Sequence, residues 1–333
     1  MDLKRIDELA AGVEWYLKQL SNFTLELKGV REDLRKVKES LERNQTHEIQ
    51  RMQQQIVALT DVLRQQGVVA PSQYELELEQ IKGFMKGEWP QAVPQDRICD
   101  TDEKKRERAR GVINLFVSEY LKDKSFLDFG CKDDYCILAA EENEAASVLG
   151  YDIKLNTSSP HVNLTDDWKQ VEDRAPYDVV LLHDVLDHIE MYDPIEALRK
   201  IKSVMSPDGR IYVRNHPWSS RHGGHLYIQK NLAFLHLILD EVELARVSGL
   251  QSEYNIKVLT PLETYRHWFK EAGLKIDSEM PIRTSVEAFF KDSVSIYGRL
   301  IKQWPQGQDP YNHMEIDFVE YVLSMDALDH QII

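Results

Sequence analysis

Residues 125–153 read SFLDFGCKDDYCILAAEENEAASVLGYDI. The stretch parses as a strand ending at Phe129, a tight turn at Gly130, a helix, and a second strand tipped by the acid Asp152. A strand–turn–helix–strand unit with a terminal acid is how an α/β domain that holds a nucleotide-like ligand begins. The turn departs from the glycine-rich form at Lys132 and Asp134. Lys132 is tolerable there if its φ is negative. Asp134, at the start of the helix, either contests the anionic end of a ligand or caps the helix together with Asp133 and points away.

The same alternation continues outward. YDVVLLHDV, from Tyr177, is a continuous apolar run of the kind found in a strand buried on both faces. PIEALRKIKSVM is an amphipathic helix, and SPDGRIYVRN a turn at Asp208-Gly209 followed by a strand. TPLETYRHWFKEAG is a helix closed by Gly273, LKIDSEMP a strand, VEAFFKDSVSIYGRLIKQW a helix and MEIDFVEYVLSM a last strand. Strands alternating with helices predict a Rossmann-like, doubly wound α/β sheet over residues 102–333.

On these residues the chain resembles the class I S-adenosylmethionine-dependent methyltransferases over about residues 105–328. FLDFGCKDD is similar to that family's first, glycine-rich motif, in degenerate form. GYDI is similar to its second strand, YDVVLLHDVLDHI to its fourth-strand segment, and MSPDGRIYV to its fifth. The resemblance implies S-adenosyl-L-methionine as cofactor. It implies that Asp128 helps hold the cofactor's amino group, that Gly130 brings backbone N–H groups against it, and that Asp152 accepts from the ribose hydroxyls. Asp166 or Asp167 would fall at the adenine amine, with Trp168 beside the ring and His183 at the end of the fourth strand. The plain alternatives are a strand-end turn residue for Asp152 and a helix N-cap for Asp167.

After the fifth strand comes RNHPWSSRHGGHLY, where an acceptor pocket opens in such folds. His216, His222 and His225 are the candidate catalytic residues, since an imidazole takes a proton from a hydroxyl or amine near neutral pH. With His183 and His188 they would converge on one edge of the sheet. Metal ligation by the three loop histidines is the alternative; their spacing is not that of a helical zinc site, and no metal is assigned. The apolar helical insertion IQKNLAFLHLILDEVELARVSG reads as core or as a cover.

Upstream, apolar residues recur in steps of three and four from Ile6 to Leu41 and again from Ile49 to Leu63. That is a coiled-coil pattern with one skip, so residues 1–67 are expected to self-associate as a dimer or trimer. Residues 68–101, holding Pro71, Pro90 and Pro94, read as a linker with a short helix near Tyr74–Met85. The 333 residues carry a net charge of −15, which disfavours naked nucleic acid as a partner. No apolar run of about 18 residues suggests a membrane span. Three cysteines fit a reducing compartment, so the expected location is cytoplasmic, or a viral particle assembled there. Two function readings follow: an oligomeric methyltransferase acting on an oxygen or nitrogen acceptor, or an inactive methyltransferase-like domain serving as an assembly protein. A different nucleotide such as NAD is the weaker third.

Overall fold

The computed structural model describes residues 72–155, 163–189, 193–224, 226, 230–248, 262–304 and 308–325. The chain divides into two units, 1–73 and 74–333, and the second is described below. The coiled coil expected over 1–67 lies outside the described residues.

Seven strands form one mixed sheet: β1 (Ser125–Phe129), β2 (Ser147–Tyr151), β3 (Leu164–Thr165), β4 (Tyr177–His183), β5 (Met205–Asn215), β6 (Leu274–Arg283) and β7 (Ile316–Met325). Their spatial order is β3-β2-β1-β4-β5-β7-β6. β1 to β5 pair in parallel, and β7 runs antiparallel to both β5 and β6. The apolar run of β4 is explained by its two buried faces. Val180 and Leu182 enter one core with Leu198, Ile201, Tyr265 and Phe269, from the helices Pro194–Ser203 and Leu262–Glu271. Val179 and Leu181 enter the other with Val112, Val117, Ile137 and Ala140. Those residues come from the helices Asp102–Val112 (α2) and Tyr135–Glu142 (α3) and the π turn between Ile113 and Val117. Burying each such side chain stabilises the fold by roughly 1.5–3 kcal/mol.

The Asp208-Gly209 turn is a bulge inside β5. Tyr177 pairs with Met205 but Val179 with Arg210, so the residues between loop out. At the same end, Asp178 accepts from Ser125 N (3.0 Å), Ser125 Oγ (2.9 Å) and Ser206 Oγ (2.9 Å), which ties the starts of β1, β4 and β5 together.

Part of the stretch read as a linker belongs to a second core. Leu78 and Ile81 of helix α1 (Gln73–Phe84), with Trp89 and Ala92, are buried among Phe234, Leu237, Phe290 and Leu300. Trp89 Nε1 donates to the Ala233 carbonyl at 2.8 Å, and Asn231 bonds both backbone groups of Val93. The proline count marked irregular backbone, whereas the apolar residues between the prolines set its packing. The insertion after β5 is core, as its composition suggested, but not one long helix. Phe234 sits at φ +57, Leu235–Ile238 forms a single turn, and Glu241–Ser248 starts afresh behind a reciprocal Asp240–Glu243 cap. The helix expected over 286–304 likewise breaks at Ser293.

Candidate active site

β1 pairs with β2 on one side and with β4 on the other, so the sheet's switch point lies at the carboxyl ends of β1 and β4. There Gly130 takes φ +79, and a Cβ at that position would lie 2.6 Å from Val185 Cγ2. Only glycine satisfies both the backbone angle and the contact. Its role is the bend rather than ligand donation. The N–H groups of Gly130 and Cys131 donate to the Tyr151 carbonyl (2.7 and 3.2 Å), and that of Lys132 donates to Asp152 Oδ2 (2.9 Å). Lys132 stands at φ +56, contrary to the negative angle its tolerance required. A left-handed non-glycine residue is strained by about 1 kcal/mol or more. Asp184, at the end of β4, stands at φ +55, so both rims of the crevice carry this strain.

The crevice is acidic. Asp152, half-buried at the tip of β2, receives Lys132 N on Oδ2 and Lys154 N on Oδ1 (2.8 Å). A carboxylate has about four acceptor sites, so each oxygen keeps one lone pair. Two parallel acceptors are what a vicinal diol needs. Asp128 is buried, 3% exposed, and its carboxyl is pushed up to about 8. Burial is the main cause, the charges of Asp133 and Asp152 add to it, and a hydrogen bond with Cys136 opposes it. Burial also raises the carboxyl of Asp133. Asp134 opens α3, is itself buried and makes no capping bond, while Asp133 Oδ1 accepts from Tyr135 N at 3.4 Å. An acid held protonated by burial and neighbouring charge, as Asp128 is, fits a cationic ligand, which lets it ionise. The ammonium and sulfonium of S-adenosylmethionine are of that kind, and the diol acceptors of Asp152 suit its ribose. The N–H groups of Gly130, Cys131 and Lys132 are already engaged within the protein.

Asp167 is the N-cap of the helix Trp168–Asp173, with Oδ1 accepting from Lys169 N at 2.9 Å. Its capping alternative therefore holds, and one carboxylate oxygen is committed. The Trp168 ring packs on Phe129 and Tyr151 at 6.2 and 5.3 Å, under the Lys200 ammonium. His183 is held by Arg108 of α2, whose guanidinium donates to Asp184 (2.9 Å) and lies 3.4 Å from His183 Nε2. Burial pushes the His183 imidazole down to about 4, so it is neutral at ordinary pH. His188 is exposed.

On the β5 side, His216 follows the last residue of the strand, and His222 lies in the loop that leaves it. The two rings are 4.8 Å apart, and Phe318 lies 4.0 Å from the first and 6.1 Å from the second. Asp317, near the start of β7, brings Oδ1 to 3.0 Å from His222 Nδ1 and its carbonyl to 3.1 Å from His216 Nδ1. Asp184 Oδ1 stands 3.7 Å from His216 Nε2 and joins this group to the β4 rim. Burial lowers the His216 imidazole. The Asp317 carboxyl is also lowered, because His222, His216 and Arg221 outweigh its burial. The loop reaches this position by close packing: a Cβ on Gly224 would fall 2.5 Å from the His236 side chain. His225 lies outside the described residues.

Of the expected histidine convergence, then, His183, His216 and His222 come together. Arg108, Asp184 and Asp317 complete the edge and were not singled out in the sequence. Asp184 adjoins a candidate residue and was within reach, whereas Arg108 and Asp317 sit in a charged helix and an alternating strand with no local mark.

The model of the methyltransferase domain matches residues 101–279, more than half of the chain, and the chain belongs to this family. A tRNA U34 carboxymethyltransferase of Campylobacter fetus subsp. fetus (strain 82-40) is 24% identical over 202 residues. The match covers 57% of this chain and 64% of that protein, less than two thirds of its length. Among solved structures, the plantazolicin methyltransferase BpumL in complex with SAH is 17% identical, covering 75% of this chain and 99% of its own, with a TM-score of 0.39. An S-adenosylmethionine-dependent methyltransferase from Clostridium acetobutylicum ATCC 824 is 11% identical, over 70% and 96%, with a TM-score of 0.39.

Proposed function

We propose that this chain is an S-adenosylmethionine-dependent methyltransferase acting on an oxygen or nitrogen acceptor, self-associated through residues 1–67. The observation that carries the reading is Asp152, fixed by two backbone N–H groups with an acceptor site left on each oxygen. Asp128 holds the ammonium end and Gly130 makes the bend. Asp167, by the oxygen its cap leaves open, and Trp168 stand on the adenine side, and His183 lines the β4 rim. When bound, the cofactor supplies a methyl group on a sulfonium. The chain's part is to hold the acceptor in line with it and exclude water, which is where most of the acceleration in such a transfer arises. With no ion bound, His216 and His222 would serve to take the acceptor's proton, and His225 is the loop's third candidate for that part. The tRNA named for the Campylobacter protein is one acceptor class. A net charge of −15 weighs against an electrostatic grip on it.

Titration calorimetry of the full chain with S-adenosylmethionine and S-adenosylhomocysteine tests the reading. One site per chain is expected, and no heat with either ligand overturns it. One observation favours the assembly-protein reading: Asp134, buried at the N-terminus of α3 where a ligand carboxylate would come. Under that reading Asp134→Gly raises affinity steeply from an undetectable level. Under ours it changes affinity less than tenfold.

A further inference from the structure

His216, His222 and Asp317 come from the end of β5, the loop beyond it and the start of β7. The candidate ligand atoms of the three lie within 4.8 Å of one another. We propose that they form a binding site for one divalent transition-metal ion of the Zn²⁺, Mn²⁺ or Fe²⁺ kind. Two imidazoles and one carboxylate are a donor set that such ions prefer over Mg²⁺ or Ca²⁺. Around a bound ion, donors at about 2.0–2.2 Å from the metal stand roughly 3–3.5 Å apart. The present spacing needs shifts of only about 1 Å in side-chain ends to close on an ion of that size.

Three details favour a metal over a plain ion pair. Oδ1 of Asp317 is shut off from solvent and accepts no hydrogen bond of ordinary geometry, although His222 Nδ1 is 3.0 Å away. A bond made for its own sake would be aligned. Nδ1 of His216 is engaged with the Asp317 carbonyl at 3.1 Å. In metal sites a backbone carbonyl in that place fixes the tautomer and turns the other nitrogen to the ion. The cluster is also held by rigid supports: Phe318 lies against both rings, Tyr265 Oη donates to the His216 carbonyl at 3.4 Å, and Asn215 pairs with Val319 across the β5–β7 ladder. Three donors are fewer than the four of a closed structural site, and Asp184 Oδ1, 3.7 Å from His216 Nε2, stands beside them.

The full chain is stripped with chelator, dialysed and titrated with Co²⁺ followed by visible absorption, then with Zn²⁺ and Mn²⁺ in competition. One ion per chain and ligand-field bands of low-coordinate, nitrogen-bound cobalt are expected. His222→Gln and Asp317→Asn should each weaken binding by more than the roughly 10–100-fold that loss of an outer-shell partner produces. His188→Gln, at an exposed histidine, should not. Each variant's melting in chelator is compared with the parent's, and the parent's cobalt spectrum stands as a readout that needs no variant. Absence of a stoichiometric ion in the parent, or unchanged affinity in both ligand variants, overturns the proposal. Binding of S-adenosylhomocysteine by the metal-free protein reports on the cofactor crevice separately, so the two readings fail independently.

Discussion

The β1–β2 crevice and the β5–β7 edge lie on the same rim of one sheet, yet they are built in opposite ways. The crevice is local: Asp128, Gly130 and Asp152 fall within 25 consecutive residues. Burial, with the charges of Asp133 and Asp152 beside it, pushes its Asp128 carboxyl up to about 8. The edge is assembled from residues about a hundred positions apart, His216 and Asp317, and there the carboxyl is lowered by its imidazole neighbours. Asp178, half-buried at the far end of β4, shows what a settled acid looks like. Burial raises it, but bonds from Ser125 and Ser206 more than offset that, and its carboxyl lies below the ordinary value. Asp128, raised by its surroundings, gains when a cationic ligand lets it ionise, whereas Asp178 is already met by one amide and two hydroxyl donors.

If Gly130 is the hinge of the crevice, Gly130→Ala should be the most damaging change. A methyl at φ +79 pressed on Val185 should destabilise the domain by about 2–4 kcal/mol, read as a fall in melting temperature, and should abolish cofactor binding. Melting unchanged to within a degree would mean the turn is not as drawn. Asp152→Ala should leave the fold largely intact while weakening S-adenosylhomocysteine binding by about 10–100-fold, the worth of one or two charge-assisted hydrogen bonds. The same substitution should leave any cobalt site at the β5–β7 edge untouched.

The pH dependence of Asp128 sharpens the contrast. Below about 8 the free protein keeps this carboxyl protonated, and a cationic ligand must displace that proton. Cofactor affinity should therefore fall by up to about tenfold per pH unit as pH drops below 8. The sign for folding is the reverse. A carboxyl raised in the folded state favours folding at low pH, and this contribution is lost as pH rises from 3.8 through about 8. Asp128→Asn should flatten both profiles; calorimetry and melting across pH 5–9 would show it. Smallest of all, Lys132→Gly should relieve left-handed strain and stabilise the free protein by about 1 kcal/mol or less. A loss of stability would mean that the lysine side chain makes a contact worth more than the strain.

Much of the sheet was legible because burial on both faces writes itself into consecutive residues, as in VVLL of β4. The bend at Gly130 and the tip at Asp152 were legible because turn and strand end are local in sequence. The sign of φ at Lys132 was not, since it depends on how Asp152 and Tyr151 draw the turn back towards β2. Asp167 could be read either as a cap or as a ligand, and only the hydrogen bond from Lys169 N shows that it caps the helix with one of its two oxygens. The stretch around Trp89 looked like a connector because prolines dominate its pattern. Its place in the second core depends on Ala233 and Asn231, more than a hundred residues away.

By itself, then, the sequence determined the class of fold, the family and the acids gathered at the β1–β2 crevice, because each rests on contacts between residues near in the chain. Tertiary structure alone decided that Asp317 meets His216 and His222, that Arg108 and Asp184 secure His183, and that residues 73–93 fill a second core. The first of those pairings arises where β7 inserts antiparallel between β5 and β6, and for none of the three does a local pattern record which distant side chain the fold brings alongside.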